Sequence, residues 1–234
     1  MVNAIDSTPG RLDAPLAMLG GTFDPVHYGH LRLADDVRRA LALAEVRLVP
    51  AADPPHRPPP AAAAGDRVAM LELAVREFPG LVVDTREIAR AGKSYTVDTL
   101  TALRAELPRT PLLLLLGADQ FRSLPSWHRW RALFDVAHVV VIPRPEVALD
   151  EGLPAPMAQA WQARHIDDPQ GLRSRIAGSI YVQPVTPQPI SSTAIRLALA
   201  RRDRHPVEIA GLLPAAVLAY IESNGLYTHP THAS

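Results

Sequence analysis

An α/β fold built on a parallel sheet with helices on both faces is what this sequence predicts, and three observations carry the prediction. Short β-rich runs alternate along the chain with segments of helical period. Two of the runs, Leu112 to Leu116 (LLLLL) and His138 to Ile142 (HVVVI), are apolar without alternation, as strands covered on both faces are. The 234 residues, 47% of them apolar, suffice for one sizeable core.

In chain order, strands are predicted at Leu16–Leu19, Val46–Val49, Leu81–Val83, Leu112–Leu116, His138–Ile142 and Ile180–Gln183. Helices are predicted at about 29–42, 66–78, 96–107, 192–201 and 214–224. In the second of these, Leu71, Ala74, Val75 and Phe78 recur at i, i+3, i+4 and i+7, an apolar stripe that belongs to the core. The last helix closes on Asn224-Gly225, a usual place for a left-handed cap. The segment AADPPHRPPPAAAAG, 51–65, is predicted to be irregular throughout, a semi-rigid loop or lid, because proline has no N–H and clashes inside a helix. The stretch 144–178, rich in Pro, Ala, Gln and Arg, reads as an irregular or helical insertion at the sheet's edge. The resulting domain reading is a flexible extension over 1–15, one domain over 16–227 with a small C-terminal helical part at 189–227, and a flexible tail over 228–234.

Composition excludes several functions. Lys plus Arg (24) balances Asp plus Glu (24), so no overall field favours a nucleic acid or an anionic membrane. The first sixteen residues lack the basic start and apolar run of a signal peptide, and the longest strongly apolar run, Leu112 to Leu116, is too short to span a bilayer. A cytoplasmic protein is expected, with oligomeric state, homo-oligomer included, left open. With no cysteine, thiolate nucleophiles and Cys-based zinc sites are impossible.

The stretch GGTFDPVHYGH, 20–30, follows the first strand and runs into a helix. That is the carboxyl end of the sheet, where open parallel sheets bind ligands. Glycine lets backbone N–H groups approach phosphate oxygens, and a helix N-terminus adds unpaired donors and a partial positive charge. The stretch matches neither GxGxxG nor GxxxxGK[ST]. His27 and His30, three apart at the helix entrance, put two imidazoles on one side of the turn, each able to donate to a phosphate. Two other readings stand beside this one: a Gly-Gly turn with incidental histidines, and a two-histidine metal site that Asp24 or a distant carboxylate would have to complete.

A second prepared helix start lies far downstream in PISSTAIR, 189–196. Ser191 or Ser192 can cap the helix, and Arg196 presents a fork of donors suited to phosphate oxygens. A plain capped helix with a surface arginine is the alternative.

Together GGTFDPVHYGH and ISSTAIR resemble the signatures of the HxGH nucleotidyltransferase superfamily. PPHRP (54–58), KSYTVDTL (93–100), LGADQF (116–121) and LPSWHRW (124–130) make the chain most similar to the bacterial nicotinate-nucleotide adenylyltransferases over about 16–227. The resemblance implies a Rossmann-like, doubly wound sheet and transfer of AMP from ATP to nicotinate mononucleotide, with Mg²⁺ accompanying the ATP and no metal site of the protein's own. It implies catalytic roles for His27, His30 and Arg196. It implies ATP contacts from Gly20, Gly21, Thr22, Phe23, His27, His30, Gly117, Asp119, Ile190, Ser191, Ser192, Thr193 and Arg196. Acceptor contacts are implied for Asp24, His56, Arg57, Tyr95, Thr96, Trp127 and His128, the last a histidine where many relatives have a phenol. The alternatives are another acceptor in the same superfamily, such as the amide mononucleotide or phosphopantetheine, or a nucleotide sensor without catalysis. A sensor is expected to lose a histidine or the arginine, and all three are present here.

Overall fold

The apolar runs of the sequence become six parallel strands. The computed structural model describes residues 12–53, 59–90, 92–143, 149, 152–201, 209 and 211–228. Its elements run β1 (Leu16–Gly21), α1 (Tyr28–Ala40), β2 (Glu45–Pro50), α2 (Ala64–Ala74), β3 (Leu81–Val83), α3 (Arg86–Ala89), α4 (Thr96–Glu106), β4 (Leu112–Gly117), α5 (Ala118–Ser123), α6 (Leu133–Val136), β5 (His138–Ile142), α7 (Ala155–Arg164), β6 (Ile180–Val182), α8 (Ser192–Ala200) and α9 (Ala215–Ser223). The strand order is β3-β2-β1-β4-β5-β6, with every pair parallel. The order reverses between β1 and β4, so the loops leaving these two strands diverge and open a crevice at their carboxyl ends. No helix among the described residues is long and apolar enough to cross a membrane.

Side chains alternate between the faces of a strand, which divides the unbroken apolar runs between two cores. Leu113 and Leu115 of β4 and Val140 and Ile142 of β5 face one core, closed by α1, α2, α8 and α9. Leu112, Leu114 and Leu116 with Val139 and Val141 face the other, closed by α4, α5, α6 and α7. A helix on each face is therefore why neither run alternates. In the stripe expected on α2, Leu71 and Ala74 are fully buried, while Val75 and Phe78 pack against the same core from a 3₁₀ turn and the residue after it.

Helix α9 ends as the Asn-Gly pair suggests. Gly225 takes φ 61, its N–H reaches the Glu222 carbonyl at 3.2 Å, and the Leu226 N–H reaches that of Ile221 at 3.0 Å. The proline-rich segment differs from its sequence reading at one end. Helix α2 already begins at Ala64, because the prolines stop at Pro60 and the alanines after it are strong helix formers. Within 144–178, α7 buries Met157 in the second core, and Ile166 pairs with the edge strand, its N–H to the Ile180 carbonyl at 2.9 Å.

His138 sits fully buried in β5. Its Nδ1 accepts the Ser179 N–H at 3.1 Å, which leaves Nε2 to donate to the Arg175 carbonyl at 3.0 Å. Burial pushes this imidazole down to about 4, well below its ordinary 6.5. The unfolded chain therefore takes up a proton near pH 6.5 that the folded chain refuses until about pH 4. Stability is complete above pH 6.5 and declines as pH falls through that window, by about 3 kcal/mol for this group. Denaturant unfolding of the parent and of His138→Gln between pH 5 and 7 checks this. The parent's curve is expected to fall more steeply with acid, and parallel curves would refute the assignment.

Candidate active site

The chain leaving β1 is shaped to present its two histidines. Phe23 turns the backbone through φ 50 and lays its ring against Gly21, where an added Cβ would lie 3.1 Å from the ring. His27 then becomes the N-cap residue of α1 in an extended conformation. Its ring lies over Gly29, where a Cβ would come within 2.9 Å of two of the imidazole atoms, so the glycine between the histidines is a steric requirement. The rings of His27 and His30 stack at 3.7 Å with an interplanar angle of 24°, and the Phe23 ring meets His30 edge-on at 5.1 Å. The expectation of two imidazoles on one side of the turn is met by this stack. Burial pushes His27 down to about 4, so it is neutral at physiological pH, and its Nδ1 has no partner among the described residues.

The start of α8 docks directly on this loop. Ser191 caps the helix, its Oγ accepting the Ala194 N–H at 3.1 Å. The Ser192 hydroxyl donates to the Pro25 carbonyl at 3.0 Å, and Arg196 Nη1 donates to the Asp24 carbonyl at 2.7 Å. Ile190 approaches Gly29, its Cβ 3.5 Å from where a glycine Cβ would stand. Two helix N-termini, far apart in sequence, thus converge. The donors differ from a set wholly free for phosphate: the Ser192 hydroxyl and one arm of the Arg196 fork already hold the loop. Ser191 and Thr193 are exposed at the helix start.

Beside the loop lies a cavity of about 360 Å³, lined by Gly20, Gly21 and Thr22 from β1 and its loop and by Tyr95, Thr96, Trp127 and His128. Thr96 opens α4 with Tyr95 as its N-cap residue. The Tyr95 and His128 rings lie 4.3 Å apart, so the histidine supplies an aromatic wall beside the half-buried Trp127. The proline-rich segment begins at this wall, with the Ala52 N–H bonded to Ser94 Oγ at 3.0 Å and the Ser94 N–H to the Asp53 carbonyl at 3.2 Å. His56 and Arg57 lie outside the described residues. Asp119 is exposed on α5 and does not line the cavity, and the Gly117 N–H is taken by Gln120 Oε1 at 3.1 Å.

Asp24 does not line the cavity either. Its carboxylate is buried and accepts from the N–H groups of Ala61 at 2.7 Å and Ala62 at 3.0 Å and from the Tyr227 hydroxyl at 2.7 Å. These three bonds engage both oxygens of the Asp24 carboxylate within the protein. Behind the loop, Arg67 is buried and donates from Nη1 to the carbonyls of Thr22 and Ala51, both at 2.8 Å.

Residues 18–198 match the model of the cytidylyltransferase-like family. Curated relatives include proteins named probable nicotinate-nucleotide adenylyltransferase. That of Aeromonas salmonicida is 48% identical over 218 residues, covering 92% of this chain and 98% of its own. That of Laribacter hongkongensis is 50% identical over 214 residues, covering 91% and 94%. The chain belongs to the nicotinate-nucleotide adenylyltransferase family. Among solved structures, Plasmodium falciparum nicotinic acid mononucleotide adenylyltransferase complexed with NaAD superposes with a TM-score of 0.69 over 92% of this chain and 98% of that one, at 16% identity. At that identity the likeness supports the fold alone, and it agrees with the doubly wound sheet.

Both motifs that suggested this family fall inside the matched region. Gly29 lies within the first of them, whereas Glu87, Arg67 and Tyr227 had no such signal. Gly29 was legible in principle, because a glycine in the first turn of a helix calls for a close approach. Glu87, buried at the cavity wall and accepting from the Thr99 hydroxyl at 2.6 Å, belongs to a helix of four residues, too short to show a period. Arg67 and Tyr227 act on the loop from 45 and 203 residues away, a distance no local pattern reports.

Proposed function

We propose that the chain transfers the AMP part of ATP to nicotinate mononucleotide, releasing pyrophosphate and forming nicotinate adenine dinucleotide, a step in NAD biosynthesis. The observation that carries this reading is the convergence of the two helix starts, with Arg196 and Ser192 of α8 bonded to the very loop that presents His27 and His30. One triphosphate bound there touches both.

The mononucleotide's phosphate oxygen attacks the α-phosphorus of ATP. That P–O bond forms as the bond from the α-phosphorus to the bridging oxygen breaks, and the electron pair leaves with pyrophosphate. No protein nucleophile is required. The chain's work is to hold two anions in line and to offset charge as it develops. His27 and His30 donate to the phosphates that remain and stabilise the transition state. Arg196, Ser191, Ser192 and Thr193 face the departing pyrophosphate, Gly20 to Phe23 and Ile190 shape the backbone around the triphosphate, and Gly117 and Asp119 lie on the adenosine side. The cavity takes the mononucleotide, with Trp127 stacked on the pyridine ring and the backbone near Tyr95, Thr96 and His128 donating to the ring carboxylate. His56 and Arg57 are the acceptor-phosphate contacts. Mg²⁺ enters with the ATP, carried on its phosphates and water. The reading places the enzyme in the cytoplasm and keeps 16–227 as its single domain.

Pyrophosphate release on mixing the chain with Mg²⁺ and ATP tests this, with nicotinate mononucleotide, its amide, or phosphopantetheine as acceptor, and with CTP plus glycerol phosphate in parallel. Fastest release is expected with nicotinate mononucleotide. A faster reaction with another pair reassigns the acceptor, and none with any pair leaves a nucleotide sensor.

A further inference from the structure

Asp24 joins three parts of the chain that the sequence keeps apart. Its carboxylate holds Ala61 and Ala62, near the end of the segment whose beginning is tied to Ser94 at the cavity wall. Its backbone carbonyl holds Nη1 of Arg196 at 2.7 Å. Its Oδ1 is held in turn by the Tyr227 hydroxyl at 2.7 Å. The carboxylate lies 3.9 Å from the partly exposed Arg196 guanidinium, and Arg67 contributes a buried cation behind the loop.

Tyr227 reaches this place at a conformational cost. It sits at φ 61, where a bulky residue's Cβ crowds its own carbonyl, yet the cap of α9 needs only Gly225 in that region. Ending the helix does not explain the strained tyrosine. Delivering its hydroxyl to Asp24 does. Burial and the bond to Asp24 raise the phenol's pKa further above its ordinary range, so it remains a donor at any working pH.

We infer that Asp24 and Tyr227 are positioning residues of the transfer site: the Tyr227–Asp24 hydrogen bond fixes the residue from whose carbonyl Arg196 hangs and to whose carboxylate the acceptor-side segment is tied. The pyrophosphate-side arginine and the acceptor-side backbone thereby keep one spacing. This rests on the reading in which Arg196 grips the departing pyrophosphate. Neither residue touches substrate; both act through Arg196 and the backbone of 61–62.

Tyr227→Phe keeps the ring and removes one donor. It is expected to lower turnover roughly tenfold, because sub-ångström misplacement of an in-line donor is costly, and to weaken pyrophosphate binding by a similar factor while the thermal midpoint moves little. Asp24→Asn is expected to lose more, since an amide cannot accept all three bonds. Because both variants break one linkage, the double variant should be no worse than Asp24→Asn alone. The experiment is calorimetric titration of the full chain with pyrophosphate, with steady-state transfer kinetics, on the parent, both single variants and the double. Parent-like turnover and pyrophosphate affinity in Tyr227→Phe, or additive losses in the double variant, overturn the inference. If Asp24→Asn does not fold, Tyr227→Phe decides alone. A parent that neither binds pyrophosphate nor transfers AMP overturns the underlying reading instead.

Discussion

Replacing His30 with alanine is expected to lower turnover by roughly 10²–10³-fold, the usual cost of losing one preorganised donor at a developing charge. Folding should change little. His30 is only partly buried on the first turn of α1, and the residues that anchor that helix in the core are Leu31, Ala34 and Val37. What the substitution removes is one ring of the stack, the one that also meets Phe23 edge-on. Since His27 is held neutral by burial, it offers a single N–H and cannot assume the lost donor's place as well as its own. Steady-state pyrophosphate release with the thermal midpoint measured in parallel checks the prediction. Parent-like turnover in a folded variant removes His30 from the mechanism.

The strands were legible because their signal is local. LLLLL and HVVVI announce burial on both faces, and Leu81–Val83 and His138–Ile142 appear in the structure with the predicted bounds. Helices α3, α5 and α6 were not legible, since four to six residues are too few for a 3.6-residue period to repeat. That both imidazoles lie on one side of the turn was legible from spacing, because residues three apart at a helix entrance are neighbours; that their rings stack was not. Asp24 shows the opposite case. Set inside a phosphate motif it reads as a ligand contact, yet its carboxylate's partners lie 37, 38 and 203 residues away, and only the fold brings them to it. Chain-local chemistry names the groups suited to face a ligand. It does not find the groups that hold them.

In the proposed reading Arg196 does both, which makes its substitution by lysine informative. Nη1 is committed to the Asp24 carbonyl at 2.7 Å, Nη2 leans toward Thr193 Oγ1 at 3.5 Å, and the guanidinium remains partly exposed beside the open start of α8. A guanidinium can hold a carbonyl with one arm and a phosphate with the other, because its donors diverge from a planar fork. An ammonium carries its three donors on one atom. It can stay with Asp24 or reach toward the pyrophosphate, and either choice forfeits the other. Arg196→Lys is therefore expected to lose about 10²-fold in turnover, within a few-fold of Arg196→Ala, and to raise the KM for ATP more than that for the mononucleotide. Kinetics of the two variants side by side provide the check. If lysine restores most of the parent rate while alanine does not, positive charge alone suffices there, and the bond to Asp24 has no part in placing it. If both fall together, what that position contributes is the fork, held in place by the loop it helps to fix.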